Sequence, residues 1–368
     1  MAWGHRRRLT HKLASVRNLP WTTGGTTGPA GETTVGATGI GSMPGTDPDE
    51  AMRVVAGELP GFPYLPELPG RGPGADLTGR TAAMLPGLAV ETTTSGWRFA
   101  ARPGRDLRHA AGLLQRDLDA LEQAADGLDT VLKVQVCGPW TMAATIELTR
   151  SQNPALADPG AVADLTQSLA EGVAAHVAEV RKRVPGAAVL LQLDEPALPA
   201  VLASRVPTAS GLNRIGAVDT TVTAAALRTV LTAAKAFAIV HCCAPEIPFE
   251  IVRDCGAGAI GFDLSLLRRE DEDGLAETAE AGLGILAGTT TELERGTRAD
   301  SPAPRDTAAE VIALWRRMGL PAGKLASQVV ITPACGLAGA SPAAARAALA
   351  RCREAARIMP ELVEEGQR

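Results

Sequence analysis

The chain has 368 residues, of which 45% are hydrophobic, so it can bury a large core without disulfide bonds. A formal net charge of -5 and 3% aromatic residues give it neither a global attraction for nucleic acid nor many stacking surfaces for bases. No apolar run reaches the roughly 20 residues of a membrane-spanning helix, and six cysteines without a framework of spacings are typical of reduced thiols. We expect a cytoplasmic protein that binds a small molecule or another protein, and no nucleic acid or membrane.

The first 34 residues differ in composition from the rest of the chain. A basic run, Arg6 to Arg8, is followed by a Gly- and Thr-rich stretch without helical or strand periodicity. Because no apolar segment of roughly 7–15 residues follows the basic run, a secretory signal is not indicated. We predict a disordered extension over residues 1–34 and a single folded domain over residues 35–368.

From residue 34 onward, apolar strand-like runs alternate with Ala- and Leu-rich helical stretches, which is typical of repeated βα units around a parallel sheet. Eight strands are predicted, over 34–42, 87–94, 130–138, 187–195, 236–242, 259–264, 283–289 and 327–333. Amphipathic helices are predicted over 106–126, 159–184, 222–235, 305–318 and 341–357. Eight such strands close a TIM (β/α)8 barrel, which is the predicted fold. The long segment 44–86 is predicted to cap or line the active-site face.

Chemically useful side chains recur where these predicted strands end. They are Ser42 after the first strand, Asp194 and Glu195 after the fourth, His241 and Cys243 after the fifth, Asp263 after the sixth, and Cys335 after the eighth. A TIM barrel carries its chemistry at these carboxyl-terminal strand ends. Imidazole nitrogen and thiolate sulfur are ligands that suit zinc. If the fifth and eighth strands share one rim, His241, Cys243 and Cys335 predict a catalytic metal site.

Other residues near these strand ends are expected to be structural. Alternation along a strand turns Cys242 to the face opposite Cys243, where it is a packed thiol. The remaining cysteines are also expected to be buried thiols, namely Cys137, Cys255 and Cys352. Glu195 is expected to satisfy neighbouring backbone or an arginine, and Trp140 and Met142 are expected to fill the barrel top or line the donor side.

Six segments resemble the catalytic barrel of cobalamin-independent methionine synthase in their order and spacing. They are IGSMPGT (40–46), PELPGRG (66–72), VQVCGPWT (134–141), LQLDEPAL (191–198), HCC (241–243) and TPACGL (332–337). The resemblance covers roughly residues 36 to 357. The long form of that family has an additional amino-terminal barrel, so the chain is most similar to the short, single-barrel core members. The wider superfamily includes uroporphyrinogen decarboxylase.

The resemblance implies a zinc-dependent methyltransferase that forms methionine by methylating the thiol of homocysteine. A free thiol with a pKa of about 8.5 is mostly protonated at neutral pH, and binding to zinc displaces that proton. The implied ligands are His241, Cys243 and Cys335. Asp263 stands where family members carry a glutamate as a fourth, labile ligand, and its side chain is one methylene shorter.

The resemblance also implies how the amino-acid end of homocysteine is held. Asp194 and Glu67 resemble the acids that bind the ammonium group, and Asp194 is the implied catalytic residue. Ser42, with the backbone of Gly41, resembles the turn that binds the carboxylate. A carboxylate on a buried strand end is costly unless it is paired, which favours a functional role for Asp194.

One stretch departs from the family and bears on the methyl donor. Long-form members carry an Asp and a His after the seventh strand that help to protonate the leaving nitrogen of methyltetrahydrofolate. Here Ala287 and Thr289 stand at those approximate places in GILAGTTTELERG. Because the cobalt of a methylated corrinoid leaves without protonation, methylcobalamin or a methyl-corrinoid protein is predicted as the donor.

Several alternatives remain open. The chain could be a 5-methyltetrahydrofolate-dependent methionine synthase, or a methyltransferase for another thiol that does not need Asp194 and Glu67. A uroporphyrinogen-type decarboxylase needs no zinc and prefers a pocket lined with arginine, which the predicted ligands disfavour. A non-catalytic protein that binds zinc or a corrinoid partner would keep the ligands but turn over no thiol.

Overall fold

The computed structural model describes residues 19–22, 35–125, 127–289 and 302–366. Within these ranges the strands are β1 (Gly36–Ala37), β2 (Ala89–Thr92), β3 (Trp97–Ala100), β4 (Val131–Cys137), β5 (Ile146–Glu147), β6 (Ala188–Asp194), β7 (Phe237–Cys242), β8 (Ala259–Asp263), β9 (Gly284–Thr289) and β10 (Val329–Pro333). The helices are α1 (Pro48–Glu58), α2 (Leu77–Ala82), α3 (Arg105–Ala124), α4 (Pro139–Thr145), α5 (Pro159–Arg183), α6 (Leu198–Leu202), α7 (Thr220–Ala234), α8 (Phe249–Asp254), α9 (Glu272–Glu280), α10 (Pro304–Arg317), α11 (Ala322–Gln328) and α12 (Pro342–Glu365).

Seven strands form a curled parallel sheet in the order β1-β10-β9-β8-β7-β6-β4. Residues 63–67 lie between its two ends. The amide of Leu65 donates to the carbonyl of Lys133 on β4 at 2.9 Å, and the amide of Glu67 donates to the carbonyl of Gly41, beyond β1, at 3.1 Å. This segment therefore takes the place of the eighth strand, and the fold is the predicted TIM barrel.

The prediction that residues 87–94 form the second barrel strand is wrong. The strand is present as β2, but it pairs antiparallel with β3 in a separate three-stranded sheet with β5. Residues 63–67 were missed because Pro63 and Pro66 cannot donate backbone hydrogen bonds, so the segment does not resemble a regular strand. Segment 44–86 thus supplies a barrel strand as well as α1 and α2.

The helices form the outer layer of the barrel. Aspartate side chains cap the amino termini of four of them by accepting backbone N–H groups of the first turn, namely Asp47, Asp76, Asp158 and Asp219. The five predicted helices correspond to α3, α5, α7, α10 and α12, and only α12 extends well beyond its predicted end, to Glu365. In the part of the chain that the structure describes, no helix combines the length and apolarity needed to cross a bilayer.

The amino-terminal end of the barrel is closed by an apolar floor, which consists of Leu19, Trp21, Phe62, Val131, Leu190, Ile239, Ala259, Leu286 and Val330. The ring of Trp21 is fully buried, stacks on Phe62 with ring centroids 6.0 Å apart, and meets Phe237 edge-on at 5.5 Å. Residues 19–22 were predicted to be disordered, and that is wrong for this piece, because it packs into the floor. Residues 1–18 and 23–34 of the predicted extension lie outside the described ranges.

Above the floor, the inward positions of the strands become polar. Lys133, Gln192 and His241 each follow a floor residue by two positions, and each is at most 2% exposed. We call these three residues the polar layer. Their outward-facing neighbours join the main core between the barrel and the helices, as Leu132 and Leu191 do. Because side chains alternate along a strand, one set faces the helices and is apolar. The other set faces the barrel interior and changes from apolar to polar along the barrel axis.

Candidate active site

The predicted site residues come from several strands but lie at one rim of the barrel. Asp194 is paired with His241 in the β6–β7 register. Ser42 forms a parallel bridge with Glu67, and its carbonyl accepts the amide of Leu337 at 2.8 Å, in the loop that follows β10. These pairings bring both halves of the chain together at the carboxyl-terminal strand ends, where the chemistry of such barrels occurs.

Asp194 orients His241. The Oδ1 atom of Asp194 lies 2.7 Å from Nδ1 of His241 and accepts a hydrogen bond from Nε2 of Gln192, also at 2.7 Å. Because a carboxylate accepts, Nδ1 carries the proton, and in the neutral imidazole Nε2 keeps its lone pair. Nε2 of His241 is buried without a hydrogen-bond partner in the described structure. A carboxylate on one nitrogen and a free lone pair on the other are typical of a histidine metal ligand.

Cys243 and Cys335 form a thiol pair at the same rim. Their sulfur atoms are 3.5 Å apart, although 92 residues separate them in the sequence. The hydrogen bond between them raises the pKa of Cys243, which burial raises further, and lowers the pKa of Cys335, which burial opposes. The two sulfurs therefore favour a state that shares a single proton. Both are free cysteines, and Cys335 is exposed, so the pair is open to an incoming ligand.

Asp263 has a local role. Its Oδ1 atom accepts the backbone amide of Ser265 at 2.9 Å and the Ser265 hydroxyl at 2.7 Å, which caps the short turn Leu264–Leu266. Among the residues that the structure describes, no three His, Cys, Asp or Glu side chains are arranged to hold a metal ion. The structure thus joins the two thiols and pairs His241 with Asp194, but it does not assemble all four predicted ligands. The donor set of two thiols in contact and a buried, unpaired imidazole nitrogen still fits zinc.

Glu67 is a buried carboxyl group with spare hydrogen-bonding capacity. Its Oε1 atom makes no hydrogen bond within the described residues and lies 3.8 Å from Nε of Arg80, which is paired with Asp117. Burial raises the pKa of Glu67 to about 7, although the charge of Arg80 opposes the shift. A buried acceptor without a donor is costly, so this oxygen is suited to a ligand that brings its own N–H.

The turn that carries Ser42 is tightly enclosed. A side chain at Gly41 would approach the Cγ atom of Gln135 to 2.9 Å, and a side chain at Gly336 would overlap the hydroxyl of Ser42. A larger residue at either position would therefore displace a neighbouring side chain, which favours glycine at both. Ser42 consequently lies directly beside the loop that carries Cys335.

Two members of the polar layer, Lys133 and Gln192, were not predicted from the sequence to belong to the site. Nζ of Lys133 donates to the carbonyl of Ile40 at 2.7 Å, and Nε2 of Gln192 donates to the same carbonyl at 2.9 Å. Burial lowers the pKa of Lys133 to about 8, although the charges of Asp194 and Glu67 oppose the shift. The available signal was a polar residue at alternate positions of two otherwise apolar runs, LKVQVC and LLQLDE.

Several structural expectations are confirmed. Glu195 caps the amino terminus of α4 by accepting the amides of Trp140 at 2.9 Å and Thr141 at 2.8 Å. Trp140 and Met142 are at most 1% exposed and belong to the core. The cysteines predicted to be packed thiols are all buried, namely Cys137, Cys242, Cys255 and Cys352.

The seventh-strand comparison with the family needs a correction. Ala287 belongs to the outer core between barrel and helices, and the hydroxyl of Thr289 donates to the carbonyl of Thr332 at 3.0 Å. Ala287 therefore does not occupy an acid position in the barrel mouth. Residues 290–301 lie outside the described ranges, so the predicted lack of a general acid after this strand remains a prediction.

Comparison with known proteins bears on the family and the fold of the chain. The model of a family described as the catalytic domain of cobalamin-independent synthase matches residues 133–358, which is more than half of the chain. A B12-independent methionine synthase from Shewanella sp. W3-18-1, solved in complex with selenomethionine, has 11% sequence identity and a TM-score of 0.58, and the match covers 90% of this chain and 99% of that one. A D-psicose 3-epimerase has 14% identity and a TM-score of 0.34, with 68% and 83% of the two chains covered. No curated protein sequence matches the chain.

Proposed function

The chain belongs to the family of cobalamin-independent methionine synthase catalytic domains and is a methyltransferase, and on that premise we propose that it methylates the thiol of homocysteine to form methionine. The observation that carries this proposal is the 3.5 Å contact between Cys243 and Cys335. Two distant thiols meet at the rim where His241 presents an unpaired nitrogen. The best use of such a donor set is to bind a metal that activates a third sulfur.

In the proposed site, His241, Cys243 and Cys335 hold zinc. The metal supplies acidity, because a thiol that binds it loses its proton and becomes nucleophilic at neutral pH. Asp194 keeps His241 in the tautomer that exposes Nε2. We leave Asp263 out of the proposed ligand set, because its Oδ1 atom already accepts two hydrogen bonds from Ser265.

The same rim has groups for the amino-acid end of homocysteine. Glu67 offers the ammonium group a carboxylate oxygen that accepts no hydrogen bond within the described residues, and Asp194 offers the second carboxylate. Ser42 and the backbone of Gly41 hold the substrate carboxylate beside the Cys335 loop. Holding both ends of the substrate places its sulfur next to the methyl carbon, and this proximity supplies much of the acceleration.

The donor has two candidates, each favoured by a different observation. Membership of a family described as cobalamin-independent favours methyltetrahydrofolate. A methyl-corrinoid donor, which the sequence predicted, is favoured by the polar layer and rim, because among the described residues His241 is the only histidine there and its Nδ1 is already hydrogen-bonded to Asp194. Methyltetrahydrofolate is the first candidate, and the corrinoid is the second.

We also propose that residues 35–368 act as one catalytic domain in the cytoplasm. Free cysteines at the rim support a reducing compartment. A reduced compartment keeps Cys243 and Cys335 as thiols, the form that the proposed site requires.

Methionine formation from homocysteine tests the proposal. Purified protein with added zinc is assayed separately with methyltetrahydrofolate and with methylcobalamin, and Cys335→Ser is the control. We expect turnover with one of the two donors and its loss in the variant. Methylation of 2-mercaptoethanol as rapidly as homocysteine would instead support a general thiol methyltransferase. Binding of zinc without turnover of any thiol would support a non-catalytic protein.

A further inference from the structure

Lys133 is an ammonium group sealed inside the barrel, with 0% of its surface exposed. Nζ donates to the carbonyl of Ile40 at 2.7 Å and to Oε1 of Gln135 at 3.3 Å. Nε2 of Gln135 in turn donates to the carbonyl of Leu65 at 2.6 Å. Lys133 therefore connects the backbone just before the Gly41–Ser42 turn with the backbone just before Glu67.

Gln192 makes a second connection from the neighbouring strand. Its Nε2 atom donates to the carbonyl of Ile40 at 2.9 Å and to Oδ1 of Asp194 at 2.7 Å. Both partners are acceptors only, so the orientation of the amide is fixed by its contacts. The carbonyl of Ile40 is thus held by two donors, one of which also holds Asp194.

Burying these groups has a cost that packing alone does not explain. A charge inside a protein loses its hydration, and well-packed apolar residues of similar volume are often as stable or more stable. The floor residues two positions earlier on the same strands are Val131 and Leu190. The presence of Lys133 and Gln192 at the next inward positions is therefore explained better by a role in positioning neighbouring groups than by a contribution to stability.

We propose that Lys133 and Gln192 are positioning residues that hold the Gly41–Ser42 turn, Glu67 and Asp194 in register, and so make the site selective for thiols that carry an amino-acid end. The proposal rests on the proposed function. Neither residue contacts the reacting sulfur. Lys133 and Gln192 act on the Gly41–Ser42 turn through the carbonyl of Ile40. Gln192 acts on Asp194 directly, and Lys133 acts on Glu67 through Gln135 and the carbonyl of Leu65.

The test compares Lys133→Met and Gln192→Met with matched controls on the same strands. Leu132→Met and Leu191→Met alter the adjacent residues, which belong to the outer core. Initial rates are measured with homocysteine and with 2-mercaptoethanol, which lacks both the amino and the carboxylate group. Loss of a hydrogen bond to a charged group is commonly about 1.5 kcal/mol or more, which corresponds to roughly tenfold in affinity.

We expect Lys133→Met and Gln192→Met each to raise KM for homocysteine about tenfold, the factor given by such a hydrogen-bond loss, and to change kcat little. The rate with 2-mercaptoethanol should stay at the wild-type level, and both leucine variants should behave as wild type. Equal losses with both thiols would overturn the proposal, because they would indicate a general packing role. Wild-type KM for homocysteine in folded Gln192→Met would also overturn it, even if Lys133→Met failed to fold.

Binding of methionine, measured by calorimetry without any methyl donor, separates this proposal from the proposed function. If the wild type binds methionine and the two variants bind it about tenfold more weakly, the positioning role holds even where no turnover is found. If the wild type methylates homocysteine but the variants bind methionine as tightly as it does, the proposed function stands and the positioning role fails.

Discussion

The two ends of this barrel are built on the same strands but have opposite chemistry. At the amino-terminal end, the inward side chains form an apolar floor closed by Trp21 and Phe62. Two residues further along, the inward positions are Lys133, Gln192 and His241, and beyond them lie the carboxylates and thiols of the rim. One end of each strand therefore contributes stability, while the other end tolerates buried charge for the sake of chemistry.

The difference predicts that changes at the two ends have separable effects. Apolar area buried in the floor stabilises the fold by about 25 cal/mol per Å². The polar groups of the upper layer contribute less, because their hydrogen bonds mainly offset the loss of hydration. Floor variants should therefore alter the free energy of unfolding and leave the catalytic constants unchanged. Rim variants should alter the catalytic constants and leave the free energy of unfolding unchanged.

The largest effect on stability is expected for Trp21→Ala, which opens the floor. Removing a buried tryptophan side chain commonly costs about 3–5 kcal/mol in the free energy of unfolding, measured here by urea denaturation. The protein that remains folded should keep its kcat. The control is Leu212→Ala, whose side chain is 87% exposed and should change stability by no more than about 0.5 kcal/mol. A parallel fall in kcat of the folded fraction would show that the two ends are coupled.

At the rim, Cys243→Ala is expected to lower kcat/KM for homocysteine by more than about 100-fold, because even groups that only orient a metal ligand commonly contribute 10–100-fold. Its melting temperature should change little, since Cys243 is partly exposed. Cys242→Ala makes the same chemical change one residue earlier, at a buried position. It should keep its activity and lose some stability. Similar kinetics for the two variants would contradict the assignment of Cys243 to the site.

Glu195→Gln tests whether every carboxylate near the rim serves the chemistry. Glu195 accepts three hydrogen bonds at the start of α4, from the amides of Trp140 and Thr141 and from the Thr141 hydroxyl. Its amide replacement should destabilise the fold by about 1–3 kcal/mol and leave KM for homocysteine unchanged. Glu310→Gln, on the exposed face of α10, is the control for denaturation. A rise in KM without loss of stability would assign Glu195 to the substrate instead.

The effect expected to be smallest near neutral pH is a pH dependence of stability that arises outside both ends. Burial, with a smaller contribution from Arg80, lowers the pKa of His176 on α5 to about 3, below the roughly 6.5 of an unfolded chain. Between these values the unfolded chain binds a proton that the folded chain does not. Stability should therefore decrease as the pH falls through this range, by at most about 1.4 kcal/mol per pH unit.

The variant His176→Leu should make the free energy of unfolding less dependent on pH in the same range. Denaturation curves at several pH values, compared with wild type, measure the slope. His109→Gln on the exposed side of α3 is the matched control. Identical slopes for His176→Leu and wild type would contradict the buried, neutral state of this imidazole.

Much of the barrel could be predicted from the sequence, because buried parallel strands are continuous apolar runs. β4, β6, β7, β8, β9 and β10 are found where such runs were identified. The place of Asp194, His241 and Cys335 at one rim followed from the rule that parallel strands in a barrel end on the same side. The strand at residues 63–67 was missed because its prolines remove the backbone donors on which a regular ladder depends.

Other features lacked a readable signal. Trp21 stands in a polar segment without periodicity, and only the folded barrel shows that its ring fills the floor. The sequence also did not indicate which face of the sheet each barrel residue occupies, because both faces of such strands are buried. For that reason Ala287 was compared with a residue of the mouth although it faces the outer core. A shift of one residue along a strand is enough to exchange the two faces.

The central claim is that the rim binds zinc through His241, Cys243 and Cys335, and the zinc content of the purified protein tests it most directly. Wild-type protein, freed of loosely bound metal by dialysis, should retain about one zinc ion per chain, and Cys335→Ser should retain far less, because a structural or catalytic zinc site depends on each of its few ligands. Equal zinc retention by the two proteins, or none in a folded wild type supplied with zinc, would contradict the account.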